Sequence, residues 1–187
     1  MGIVKKTIDF VMEILETIAF VGSIFIVIYL FILQPNQVKG ASMLPNLTEG
    51  DYIFTSKITY KFRDMKKGDI VVFRSPSNPD IEFIKRVIGL QGDKVMVLDG
   101  KVFLNEIQLS EAYIPATTPL AHNGYLKNGI PIIVPENHIF VMGDNREVSS
   151  DSRIFGPIPI SSLIGQVFYR YFPTDKIGLI TNPYIAN

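Results

Sequence analysis

The sequence predicts a mainly β domain carried behind one membrane-spanning helix. Two observations predict it. From Ile14 to Leu33 the run ILETIAFVGSIFIVIYLFIL holds a single charge, Glu16. About 20 apolar residues at 1.5 Å rise cross a hydrocarbon core of roughly 30 Å. Beyond that run, short stretches rich in Val, Ile and Phe are separated by Gly, Pro, Asn and Asp, the punctuation of strands.

Taken in order, residues 1–13 form a mixed tail with Lys5, Lys6, Asp9 and Glu13. The apolar run at 14–33 exceeds the ~7–15 residues of a cleaved leader's core, and Gln34-Pro35-Asn36-Gln37 follows without a small-x-small cleavage site. It therefore reads as an uncleaved anchor. Lysines on both flanks leave its orientation open by charge alone. Long domains translocate largely regardless of charge, so the reading puts the tail in the cytoplasm and residues 34–187 outside, with the chain single-pass. Strands are expected at Asp51–Ser56, Asp69–Arg74 and Ile81–Leu90. Val95–Leu98 and Lys101–Leu104 flank Asp99-Gly100, a strong hairpin signal. Ile139–Met142, Gln166–Phe172 and Ile177–Ile180 complete the set. Residues 115–137, rich in Pro, Asn and Gly, read as a surface excursion, and 154–163 as a helical turn at most.

Composition excludes several chemistries. The 18 basic and 18 acidic residues balance, so no charge excess points to nucleic acid. Cysteine is absent, which removes disulfides, thiol catalysis and thiolate metal sites. The 2 histidines, His122 and His138, are too scattered for a zinc centre, and His138 is a poor candidate for a triad. No cofactor is expected.

Three stretches carry possible chemistry. In Gly40-Ala41-Ser42-Met43-Leu44-Pro45, Gly40 permits a sharp turn and Pro45 stiffens its exit, which presents the Ser42 hydroxyl. Taken alone, such a serine is ordinarily structural. In Phe83-Ile84-Lys85-Arg86-Val87, strand alternation puts Lys85 between apolar same-face neighbours. Burial there would lower its pKa; an edge lysine with its head in water fits the pattern equally. The third stretch, Gly143 to Gly156, is dense in Asp, Ser and Arg. It suits either a fixed hydrogen-bond frame or a solvated turn.

Together, in this order and behind an anchor, these stretches resemble the motifs of bacterial type I signal peptidases, membrane serine proteases with a Ser–Lys dyad. The S-M-x-P motif lies at Ser42, Met43 and Pro45, with Asn46 where Thr is usual. G-D-I-V-V-F matches Gly68–Phe73, and the lysine motif runs from Phe83 to Asp93 with Gln91 in place of Pro. G-D-N-R-x-x-S-x-D-S-R-x-F-G matches throughout. The resemblance is to the short, single-anchor members. It implies an antiparallel β catalytic domain with a smaller β lobe, here 95–137 as accessory lobe and loop. It implies Ser42 as nucleophile, Lys85 as general base and Ser149 as the group that orients the lysine. Asp151 and Arg153 would form a structural ion pair, with Asp144 and Arg146 in the same frame. The Ser42 N–H would serve the oxyanion hole. Some members add a hydroxyl where this chain has Gly40. Val38, Met43, Leu47, Phe83 and Ile84 would line substrate pockets.

Geometry agrees with a membrane substrate. From Leu33 to Ser42 the chain reaches at most roughly 30 Å, so the nucleophile works near the lipid surface. Secretory precursors present their cleavage sites there, with small residues at the first and third positions before the cut. The expected partners are precursors bearing signal peptides, and membrane lipid. Two other readings are a non-enzymatic membrane-tethered β module and a relative of self-cleaving Ser–Lys repressors. The latter are soluble and carry a DNA-binding helical domain where this chain has an apolar run.

Overall fold

The computed structural model describes residues 2–114 and 117–183. The chain runs α1 (Gly2–Phe31), β1 (Leu33–Gln37), β2 (Tyr52–Ser56), α2 (Thr59–Phe62), β3 (Ile70–Arg74) and β4 (Glu82–Gly89). It continues through β5 (Lys94–Leu98), β6 (Lys101–Leu104), β7 (Ile107–Gln108), β8 (Ile132–Ile133) and β9 (His138–Met142). The last elements are α3 (Ser152–Phe155), β10 (Ile158–Pro159), β11 (Leu163–Phe172) and β12 (Gly178–Leu179).

Helix α1 begins well inside the stretch read as a tail and stops at Phe31, so Leu33, expected in the anchor, opens a strand instead. Val4–Phe31 is long and apolar enough to cross a membrane, and none of its most apolar stretch is buried against the protein. Thr17 and Ser23 turn their hydroxyls back to the carbonyls of Glu13 and Ala19, which hides both polar groups within the helix. The last turn carries no basic residue of its own. Lys57 supplies one, its Nζ donating to the Tyr29 and Leu30 carbonyls at 3.2 and 3.3 Å, where the helix dipole favours a cation.

The larger sheet has 8 strands on the path β1-β2-β11-β3-β4-β9-β10, with β12 beside β11. The pairings among these strands are antiparallel. Paired positions form one rank across it: Leu33, Ser56, Gln166, Val71 and Lys85. The sheet curls until side chains of edge strand β1 touch Glu82 at the start of β4. Both faces are covered, and β3 shows it by strict alternation. Ile70 and Val72 pack inside with Val38, Met43, Leu47, Ile53 and Val167, whereas Val71 and Phe73 pack outside with Val87, Ile139, Val141 and Ile158.

The smaller sheet, β7-β6-β5-β8, holds 4 strands. Its hairpin turns at Asp99 (φ 49°) and Gly100 (φ 77°), the left-handed pair that a two-residue turn needs. The excursion at 115–137 is more than surface: Leu126 and Val134 are fully buried in a core shared with Ile88, Phe140 and Met142 of the larger sheet and Val95 and Val102 of the smaller one. Residues 115 and 116 of that excursion lie outside the described residues.

Candidate active site

Ser42 sits in a turn that Gly40 opens at φ 77°, a left-handed angle that costs glycine little. Lys85 reaches it from the middle of β4. Its Nζ lies 2.8 Å from Ser42 Oγ and 3.0 Å from the Ile84 carbonyl, and 5.2 Å from the centre of the Phe83 ring. Lys85 is 4% exposed, so of the two readings of its strand the buried one holds. Burial lowers its pKa from 10.5 to about 8, against an upward pull from the Asp151 and Asp144 carboxylates. At that value a usable fraction is neutral amine near neutral pH.

The polar stretch 143–156 is a frame and not a solvated turn. Arg153 binds the Asp151 carboxylate through Nε and Nη2, both at 2.8 Å, with both residues buried. Asp151 also accepts from the Gly143 N–H at 3.0 Å and caps the first turn of α3. Asp144 and Arg146, expected to share that frame, each have a different partner. Asp144 takes a bidentate contact from Arg86, at 2.7 and 2.6 Å, and a third hydrogen bond from Asn46. Arg146 binds Glu111 with both Nη atoms, and its Nε holds the Gly143 carbonyl at 2.9 Å. The reason is alternation: Arg86 points away from Lys85 on β4, straight at Asp144.

Gly143 is the tightest point. A Cβ there would lie 2.2 Å from Ser149 Oγ and 2.5 Å from the Ser42 carbonyl oxygen, while Asn145 N–H donates to that same carbonyl at 3.0 Å. Only glycine lets the frame approach the nucleophile so closely. Ser149 is 6% exposed and its Oγ has no hydrogen-bond partner. The bond expected from it to Lys85 is therefore absent; the lysine directs itself to Ser42 and to the Ile84 carbonyl instead. Arg86, Glu111 and Asn46 are members of the frame that sequence reasoning missed. Arg86 was legible as a charge inside an apolar strand. Glu111 stands in an irregular segment with no local signal.

Beside Ser42 opens a cleft of about 690 Å³. Residues 35–43 form one wall, 80–85 the other, and Val72, Val148 and Ser150 add to the lining. Among the expected pocket residues, Val38, Met43, Phe83 and Ile84 line it. Leu47 does not: it is fully buried in the inner core, packed with Ile53 and Ile70. No cluster of three metal-ligating side chains occurs among the described residues.

The chain resembles known proteins in sequence. It is 32% identical over 185 residues to signal peptidase IB of Staphylococcus aureus, covering 91% of this chain and 96% of that protein. It is 35% identical over 156 residues to thylakoidal processing peptidase 1 of Arabidopsis thaliana, covering 78% of this chain but only 44% of the plant protein's length. A solved structure, a signal peptidase I from Enterococcus faecalis, is 33% identical with a TM-score of 0.47 over 56% of this chain and 97% of that one. Residues 11–172 match the family described as signal peptidase, peptidase S26, and the chain belongs to that family.

Proposed function

We propose that this chain is a membrane-anchored serine endopeptidase that removes signal peptides from secreted precursors, with Ser42 as nucleophile and Lys85 as general base. The observation that carries the reading is the 2.8 Å contact between Lys85 Nζ and Ser42 Oγ in a buried setting. Neutral Lys85 takes the Ser42 proton as Oγ attacks the scissile carbonyl. The resulting ammonium returns that proton to the departing amine, and an acyl-enzyme remains. Lys85 then takes a proton from water, whose hydroxide attacks the ester, and gives it back to Ser42 Oγ as the ester breaks.

The Ser42 N–H donates to no other described residue, which leaves it for the oxyanion. Gly40 has no side chain to add, and nothing lies within 4 Å of where its Cβ would be. The unpartnered Ser149 Oγ, buried against Gly143, is available to accept from the ammonium once Ser42 is acylated. The substrate enters as an extended strand. Both cleft walls offer strand edges without a neighbour, β1 on one side and Glu82–Lys85 on the other. Val38, Met43 and Ile84 leave room for small apolar side chains. The anchor holds residues 34–187 on the extracytoplasmic side, against the lipid surface where such precursors lie.

Purified protein in detergent, incubated with a precursor, tests this. Ser42→Ala, Lys85→Ala and Lys85→Arg each lose about 10⁴-fold or more in rate, since dyad members act as one unit and guanidinium keeps its proton. Near-normal cleavage by any of the three refutes the assignment. A non-enzymatic β module would leave the parent as inert as Ser42→Ala.

A further inference from the structure

The two free strand edges that face each other across the cleft are tied at one point. Gln34 Nε2 donates to both Glu82 carboxylate oxygens, at 3.2 and 3.1 Å, and Asn36 Nδ2 donates to Oε2 at 3.0 Å. Asn36 is itself aimed. Thr55, fully buried on β2, donates its hydroxyl to Asn36 Oδ1 at 2.8 Å, which turns the amide nitrogen outward to Glu82. An exposed glutamate ordinarily leaves its carboxylate in water. This one is held by amides from the opposite wall of a cleft that Asn36 and Glu82 both line.

We propose that Glu82 is a positioning residue, and that the chain Thr55–Asn36–Glu82 sets the gap into which one substrate strand fits. The inference rests on the reading that substrate enters as a strand. Direct backbone pairing of the two edges would close them to about 4.8 Å, with no room between. An Asn and a Glu side chain joined end to end span roughly twice that, two strand spacings. The tie therefore holds the edges apart as well as together. Ser42 and Lys85 do not touch it, so its effect falls on binding and spares the chemical step.

A polarity swap tests this in the full chain. Asn36→Asp sets two carboxylates face to face; Glu82→Gln sets two amides there. The double variant restores one amide donor and one carboxylate, with Thr55 still donating to position 36. The readouts are KM and kcat for a signal-peptide substrate, and the Kd of a fluorescent signal-peptide segment on a Ser42→Ala background. Asn36→Asp should raise KM and Kd about tenfold, the scale of one charge-assisted hydrogen bond; Glu82→Gln, whose amide oxygen still accepts from Asn36 and Gln34, should raise them by less, and both should leave kcat within about twofold. The double variant should return to within about threefold of the parent, by mutual compensation. An unaffected Asn36→Asp, or a double variant as weak as Asn36→Asp alone, overturns the tie while leaving the peptidase reading intact. The latter result would mark Glu82 as a direct substrate contact. A parent that neither binds nor cleaves overturns the peptidase reading and the tie with it.

Discussion

Buried cations in this chain are of two kinds, and they lie in neighbouring regions. In the frame under the site, Arg86, Arg146 and Arg153 are each locked to a carboxylate: Asp144, Glu111 and Asp151. At the site, Lys85 is equally hidden but rests on a hydroxyl and a carbonyl. Guanidinium keeps its proton under any ordinary condition, and its carboxylate offsets the cost of hiding the charge. The ammonium has no such partner, so burial loosens its proton. Paired charge holds the frame, and unpaired charge is left for chemistry.

That contrast can be broken first in the frame. Arg153→Ala strands the fully buried Asp151, and loss of one partner of a buried pair costs about 3–5 kcal/mol. Thermal unfolding in detergent should show the largest loss of stability among these variants, with activity falling alongside. Full stability with lost activity would move Arg153 from the frame to the substrate.

A smaller effect, of opposite sign, is expected at the site. Lys85 has a folded pKa of about 8 against 10.5 when free. Below pH 8 it is charged in both states, and the whole cost of its burial is present. Between pH 8 and 10.5 the folded protein sheds the proton first, the unfolded chain binds more protons, and stability rises with pH. Lys85→Met should thus be more stable than the parent by about 3 kcal/mol near pH 7, at 1.36 kcal/mol per pK unit, with the difference fading by pH 10.5. A constant difference across that range would mean the lysine is not buried as a cation.

The smallest effect sharpens the comparison by giving the lysine the partner it lacks. For the parent, log kcat/KM should climb with unit slope below pH 8 and level off above it. Phe83→Asp puts a carboxylate beside the ammonium and should move the bend upward by about one unit or less. A parent bend near 6.5, the ordinary imidazole value, that vanished without His138 would overturn the lysine mechanism. His138 Nδ1 is engaged with the Glu136 carbonyl at 2.7 Å.

Much of the fold was legible because apolar alternation and turn residues are local signals. The strands after Gln37 begin and end within a few residues of expectation wherever they exceed two residues. The hairpin at Asp99-Gly100 was plain from two letters. Strand β1 was not legible: LQPNQ has no apolar alternation and contains Pro35, which an edge strand tolerates on its open side. Strands β7, β8 and β10 hold 2 residues each, too few for any period. At the site, Ser42 and Lys85 stand 43 positions apart, and motif resemblance named them before geometry brought them together. What stayed hidden were partnerships between distant segments, Arg146 with Glu111 and Glu82 with Asn36. Those depend on how the sheet curls, which no window of sequence contains.

The rank of paired residues from Leu33 to Lys85 has a consequence for where a bond is cut. No flexible linker separates α1 from the sheet: Ile32 N–H still bonds Ile28, the Lys57 N–H bonds the Ile32 carbonyl, and Leu33 is already paired with Ser56. Lys85 stands level with Leu33, the second residue after the helix, four strands along. The sheet then works as a ruler whose zero mark is the end of the anchor. The distance from the end of α1 to the lysine is thus set by strand pairing and not by slack in the chain, so helix and dyad are spaced as parts of one sheet.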